Sequence, residues 1–111
     1  MTGEDIINWL RRFRYDPDWR DSSGNRKVPF KNLADYCGVD RRILYKIMHR
    51  AYPHFHSGTR IFSRLEDAID LIADGRLYWE RQAIQGRRFE MVMVREVDEG
   101  DELRMPQPEL P

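Results

Sequence analysis

The sequence predicts a mainly α domain of about four helices, followed by a C-terminal β-hairpin or strand and a disordered acidic tail. Three observations carry this reading. Ile6, Trp9, Leu10 and Phe13 recur at helical spacing. Gly38 divides two short helical segments, Phe30 to Cys37 and Asp40 to His49. After Gly75 the period changes to two: in RRFEMVMVREV, Arg87 to Val97, Phe89, Met91 and Met93 fall on one face and Val92 and Val94 on the other. The chain is thereby organised as a helical unit over 1–75, a hairpin over 76–97 and a tail over 98–111.

Thr2 to Phe13 is predicted as the first helix. Thr2 and Asp5 form a capping-box pair, and Arg11, Arg12 and Arg14 suit the negative end of the helix dipole. DPDWRDSSGNRK, Asp16 to Lys27, is a long loop in which Trp19 is expected to pack down. After the two short helices, Tyr52 to Arg60 is a turn-rich connector. Ser63 and Glu66 form a second capping-box pair, so the next helix is expected to begin at Ser63. It runs through Leu65, Ala68, Ile69 and Ile72 and ends before Gly75. Leu77 to Ile84 reads as strand or helix; a hairpin turning near Gln85 and Gly86 is the favoured reading. Asp98 to Pro111 is acidic and holds three prolines, the composition of a disordered tail.

With 111 residues and 41% hydrophobic content, one modest core is feasible. No apolar run approaches the ~20 residues that span a bilayer. Met1 to Leu10 carries Glu4 and Asp5 and no basic stretch, so a secretory signal is not expected. Cys37 is the sole cysteine, which excludes an internal disulfide and predicts a reducing, cytoplasmic setting. The formal net charge is +0, yet the charges are segregated. Residues 1–64 carry 13 Lys/Arg and 7 Asp/Glu; residues 65–111 carry 6 and 12. A basic front and an acidic back follow, and a local basic patch matters more to a polyanion than the sum does.

The segment FKNLADYCGVDRRILYKIMH, Phe30 to His49, fits two helices joined by a tight turn. Ala34 is small where the helices cross. Gly38, four residues on, suits a turn that leaves helical geometry. Leu33, Val39, Leu44 and Ile47 supply the apolar contacts, and Asp40 can cap the second helix. Within it, LADYCGVDRRILYKI resembles the helix-turn-helix of the Cro/repressor family of phage and bacterial regulators, whose usual run is roughly LAxxxGVSRSTISRI. About 20 residues carry the likeness, and it extends loosely to the following helix. Three features depart from the family: the long loop before Pro29, the long connector, and apolar Ile43 and Met48 where the family is usually polar. The last predicts that this helix buries more than one face.

The resemblance implies that the second helix enters the major groove of double-stranded DNA. By position, Arg41, Arg42, Tyr45, Lys46 and His49 would face the bases. Arg can hold guanine O6 and N7 with two hydrogen bonds. Lys31, Arg50, Ser57, Thr59 and Arg60 are assigned to phosphates. The histidines in the basic part are expected to strengthen binding as they protonate.

Cys37, His49, His54 and His56 lack the paired-cysteine spacing of a structural zinc site, so no metal or cofactor is expected. No nucleophile motif or glycine-rich phosphate loop points to an enzyme or to a small-molecule substrate. The expected function is sequence-specific DNA binding by a homodimeric transcriptional regulator, paired through the C-terminal strand, with no membrane role. The alternatives are a small terminase-like or excision protein of a phage, and a protein-interaction module whose motif binds no DNA.

Overall fold

In the computed structural model, which describes residues 1–21, 24, 29–86 and 88–96, four helices precede a two-stranded hairpin. The order is α1 (Gly3–Tyr15), α2 (Phe30–Cys37), α3 (Arg41–Met48), α4 (Arg60–Ala73), β1 (Leu77–Ile84) and β2 (Arg88–Arg95). The mainly α architecture with a C-terminal hairpin is the one the sequence predicts. The tail expected over 98–111, Arg87 and Val97 of the expected strand, and 22, 23 and 25–27 of the expected loop lie outside the described residues.

The capping box of α1 is formed. Thr2 Oγ1 accepts the Asp5 N–H at 3.1 Å, and Asp5 Oδ2 accepts the Thr2 N–H at 2.8 Å. Ile6, Ile7, Leu10 and Phe13 are buried along one face. Trp19 packs down as expected, edge-on to Phe13 at 4.7 Å and to Trp79 of β1 at 6.3 Å. Phe13 also stacks on Phe30 at 5.5 Å. One aromatic cluster thus joins α1, the loop, α2 and β1. Asp21, itself buried, accepts the backbone N–H of Trp79 at 3.3 Å and ties the loop to the strand.

Gly38 ends α2 at φ 74°, a conformation that costs a residue with a Cβ. The N–H of Gly38 reaches Asp35 O at 3.1 Å and that of Val39 reaches Ala34 O at 3.0 Å, so orphan carbonyls of the helix end are satisfied. Arg64 of α4 donates to Cys37 O at 3.0 Å across the turn, and a Cβ at Gly38 would collide with that guanidinium. Leu33, Ala34, Cys37, Leu44, Ile47 and Met48 are fully buried where α2 and α3 meet the core. Val39 and Ile43 are half-buried against it. Met48 and Ile43 fall on the same side as Leu44 and Ile47, so the two apolar departures widen one inward face of α3 and do not bury a second, contrary to the expectation.

The start of α4 differs from the expectation. Ser63 lies inside the helix, and Thr59 is the cap, its hydroxyl accepting the Phe62 N–H at 3.4 Å and donating to His56 O at 2.7 Å. Both threonine and serine carry cap chemistry; burial decides between them. Starting at Arg60 places Ile61 and Phe62 in the core, at 9% and 6% exposure, where a start at Ser63 would leave them in the connector. Arg60 accordingly opens α4 rather than ending the connector. Gly75 at φ 74° terminates the helix as expected, with Arg76 N–H reaching back to Leu71 O at 2.9 Å.

Leu77–Ile84 is a strand, paired antiparallel with β2 from Leu77↔Arg95 to Ile84↔Arg88. Gln85 and Gly86, both at positive φ, make the turn. Leu77 and Trp79 enter the helical core fully, and Met91 and Met93 pack against it. The period-two face therefore divides. Its base is core, while Phe89 near the turn is 54% exposed and lies under the Arg81 guanidinium at 4.6 Å.

Candidate nucleic-acid interface

Asp40 starts α3 by accepting the Arg42 N–H at 2.8 Å. The helix then divides by burial. Leu44, Ile47 and Met48 face inward with at most 1% exposure. Arg41, Arg42, Lys46 and His49 are exposed, and Tyr45 and Ile43 are half-buried. Arg42, Tyr45, Lys46 and His49 are three, four and seven residues apart, so they form one stripe along the outer face.

Two of the arginines on and beside this stripe carry intramolecular partners. Arg42 Nε lies 3.1 Å from Asp40 Oδ1, and Nη2 lies 3.3 Å from Oδ2. That guanidinium, and next the Arg42 backbone N–H, hold the Asp40 carboxyl below the usual carboxylate range. Arg50, just past α3 at φ 59°, holds both oxygens of Glu4 in α1. In the middle of α3 the Tyr45 hydroxyl accepts Arg14 Nε at 3.1 Å, and the Tyr45 ring meets Phe30 edge-on at 5.1 Å. Side chains of α1 thus meet the α3 segment at two places, Arg14 at Tyr45 and Glu4 at Arg50.

The other sequence-assigned phosphate residues are dispersed around this face. Lys31 is exposed in the first turn of α2 and borders the same cleft as Arg41 and Tyr45. Ser57 is exposed in the connector, Thr59 is occupied as the α4 cap, and Arg60 is exposed at the first position of α4. Among the described residues no hydrogen bond or ion pair joins these last three to α3.

Sequence reasoning assigned Arg14 to the helix dipole and missed its place beside Tyr45, 31 residues away. It also missed Glu4 as the partner of Arg50, and Arg64 as the residue that closes over the turn. No local signal marks these pairs; they exist through tertiary packing. Burial pushes the Cys37 thiol up to about 12, against a smaller opposing pull from Arg64, so the side chain is a neutral core residue. Among the described residues no three His, Cys, Asp or Glu side chains are grouped to hold a metal ion, and no helix is long and apolar enough to cross a membrane.

Comparison of the chain with protein-family models, with curated proteins and with solved structures found no match.

Proposed function

We propose that the chain binds duplex DNA through the outer face of α3 and acts as a sequence-specific transcriptional regulator of phage or bacterial type. The observation that supports this most is the division of α3: its apolar side chains are spent on the core, while Arg41, Arg42, Lys46 and His49 stand in solvent. A packing helix needs only a polar outer face, whereas this one carries basic groups and no acid from Arg41 to Arg50. The tight turn at Gly38 supports the reading, because a helix-turn-helix needs a short turn of this kind between its two helices. In this reading Arg41, Arg42, Tyr45, Lys46 and His49 face the bases and Lys31, Arg50, Ser57 and Arg60 meet phosphates, while the Thr59 hydroxyl is engaged within the chain.

A homodimer belongs to the same reading, because one such module covers only a few base pairs. The outer edge of β2 has no strand neighbour among the described residues, and pairing of two copies there would extend the sheet.

Selection of bound sites from a random duplex library tests specificity, half-site symmetry and spacing together. Gel-shift titration tests binding itself. Affinity that is absent at low salt, or that does not fall as salt rises, overturns the reading. Light scattering should give a dimer; a ring would favour a packaging role.

A further inference from the structure

A cleft of about 630 Å³ opens where the end of α1 meets the first turns of α2 and α3. Its aromatic floor includes Phe13, Phe30 and Tyr45, and among the described residues three cations border it: Arg14, Lys31 and Arg41. Among the described residues the sole acidic one lining it is Asp16, whose Oδ1 already accepts the Asp18 N–H at 2.9 Å.

Among the described residues three exposed arginines hold carboxylates, while others, Arg11, Arg12 and Arg60 among them, do not. Arg42 holds Asp40, Arg50 holds Glu4 and Arg88 holds Glu90. Among the described residues, Arg14, Lys31 and Arg41 have no carboxylate within ion-pair distance. Arg14 is nonetheless fixed. Its Nε donates to the Tyr45 hydroxyl at 3.1 Å, and its guanidinium carbon lies 5.5 Å from the Tyr15 ring and 5.9 Å from the Tyr45 ring. Rings and a hydroxyl orient the guanidinium without neutralising it, and its terminal Nη groups retain their donors. Three like charges thus border one cleft, and an anion entering it would offset their mutual repulsion.

We infer that this cleft binds a phosphate ester. The Nη fork of Arg14 matches two phosphate oxygens, and Lys31 and Arg41 supply the flanking charge. The volume exceeds that of a bare phosphate, and the aromatic floor offers a surface to the sugar or ring that the phosphate carries. The ester has two sources: a phosphodiester of a nucleic-acid backbone, or a free mononucleotide. The first rests on the reading of α3 as a duplex-binding helix; the second does not.

The test follows the Arg14 Nε–Hε signal of the full-length protein by NMR, assigned by its loss in Arg14→Lys. Inorganic phosphate, adenosine monophosphate and a short random-sequence duplex are titrated at low salt against matched sodium chloride. The expected result is a saturable shift with the mononucleotide or the duplex. Arg14→Gln should weaken that binding about tenfold, as loss of a charge-assisted hydrogen bond requires. Lys31→Gln should weaken it in the same direction, while Arg81→Gln on the hairpin leaves it unchanged. Saturation by the mononucleotide identifies a free ester; a shift with the duplex alone identifies the backbone. No saturable shift with any probe, a shift that chloride reproduces, or full affinity in folded Arg14→Gln overturns the inference. A duplex bound normally by Arg14→Gln but not by Lys46→Ala keeps the α3 reading and removes the cleft. Mononucleotide binding without duplex binding does the reverse.

Discussion

Arg50 Nη2 lies 2.8 Å from one carboxylate oxygen of Glu4 and 3.0 Å from the other, closing the end of α3 onto the start of α1. Both side chains remain more than half exposed, at 53% and 60%. An exposed pair of this kind adds at most about 1 kcal/mol to stability, so its larger effect is on what Arg50 can reach. A DNA phosphate would have to draw Arg50 away from Glu4.

Glu4→Gln should therefore strengthen duplex binding rather than weaken it. The freed guanidinium gives one more phosphate contact, and the slope of log affinity against log salt should steepen by about 0.9. The thermal midpoint should fall only slightly. Gel shifts at several salt concentrations check this. An unchanged slope would remove Arg50 from the phosphate contacts while leaving the assignment of α3 intact.

Asp40 serves two roles that substitution can separate. Its carboxylate caps α3 and also holds the Arg42 side chain. Asp40→Ser keeps a capping oxygen and releases the arginine, so base preference should sharpen or change with little loss of fold. Arg42→Ala should relax preference at one position of each half-site, by about 1–3 kcal/mol of discrimination. Arg60→Ala should weaken all sequences alike. Site selection on the three variants measures this, and a uniform loss in Arg42→Ala would remove Arg42 as a base reader.

Acid should destabilise the fold through two caps. The Asp5 carboxyl is held below its ordinary value of 3.8, chiefly by the Thr2 backbone N–H and then by the Thr2 hydroxyl. The Asp40 carboxyl is likewise depressed, chiefly by the Arg42 side chain. Each binds a proton more weakly folded than unfolded, so unfolding takes up protons. Their contribution is complete above the ordinary value and disappears as pH falls through the depressed folded values. The thermal midpoint should thus drop below about pH 4. Asp5→Asn combined with Asp40→Asn should flatten that acid limb, and an unaltered limb would mean that other carboxylates govern it.

Local chemistry made much of this fold legible. The Thr2–Asp5 box, the Asp40 cap, the stops at Gly38 and Gly75 and the turn at Gln85–Gly86 all act within a few residues of themselves. The exposure of Arg41, Arg42 and Lys46 followed from helical periodicity once Leu44 and Ile47 were assigned to the core. Long-range packing was not legible. Thr59 and Ser63 compete as caps with similar side chains, and the burial of Ile61 and Phe62 settles the choice. Tyr45 falls on the outer stripe by spacing, yet its ring is half-buried against Phe30 and its hydroxyl is engaged by Arg14. Those relationships join residues far apart in the chain, where neither periodicity nor capping rules reach.

Trp79 offers the strongest test of how the hairpin relates to the helices. Two strands alone are marginal in water, and β1–β2 forms a sheet of only those two. Trp79 is 0% exposed, lies 5.4 Å from Phe13 and 6.3 Å from Trp19, and donates its backbone N–H to buried Asp21. Its ring thus fills the space at which α1, the loop and the hairpin converge. Trp79→Ala should cost about 3–5 kcal/mol through lost burial and the cavity left behind. That is a large part of the ~5–15 kcal/mol that stabilises a domain. Trp79→Phe keeps an aromatic ring and should cost less. Because the hairpin base and the helices share one core, the wild-type chain should unfold in a single thermal transition, and Trp79→Ala should lower that transition as a whole. A separate early transition assigned to β1–β2, with the helical part unmoved, would instead mean that the hairpin is an independent unit resting on the helices.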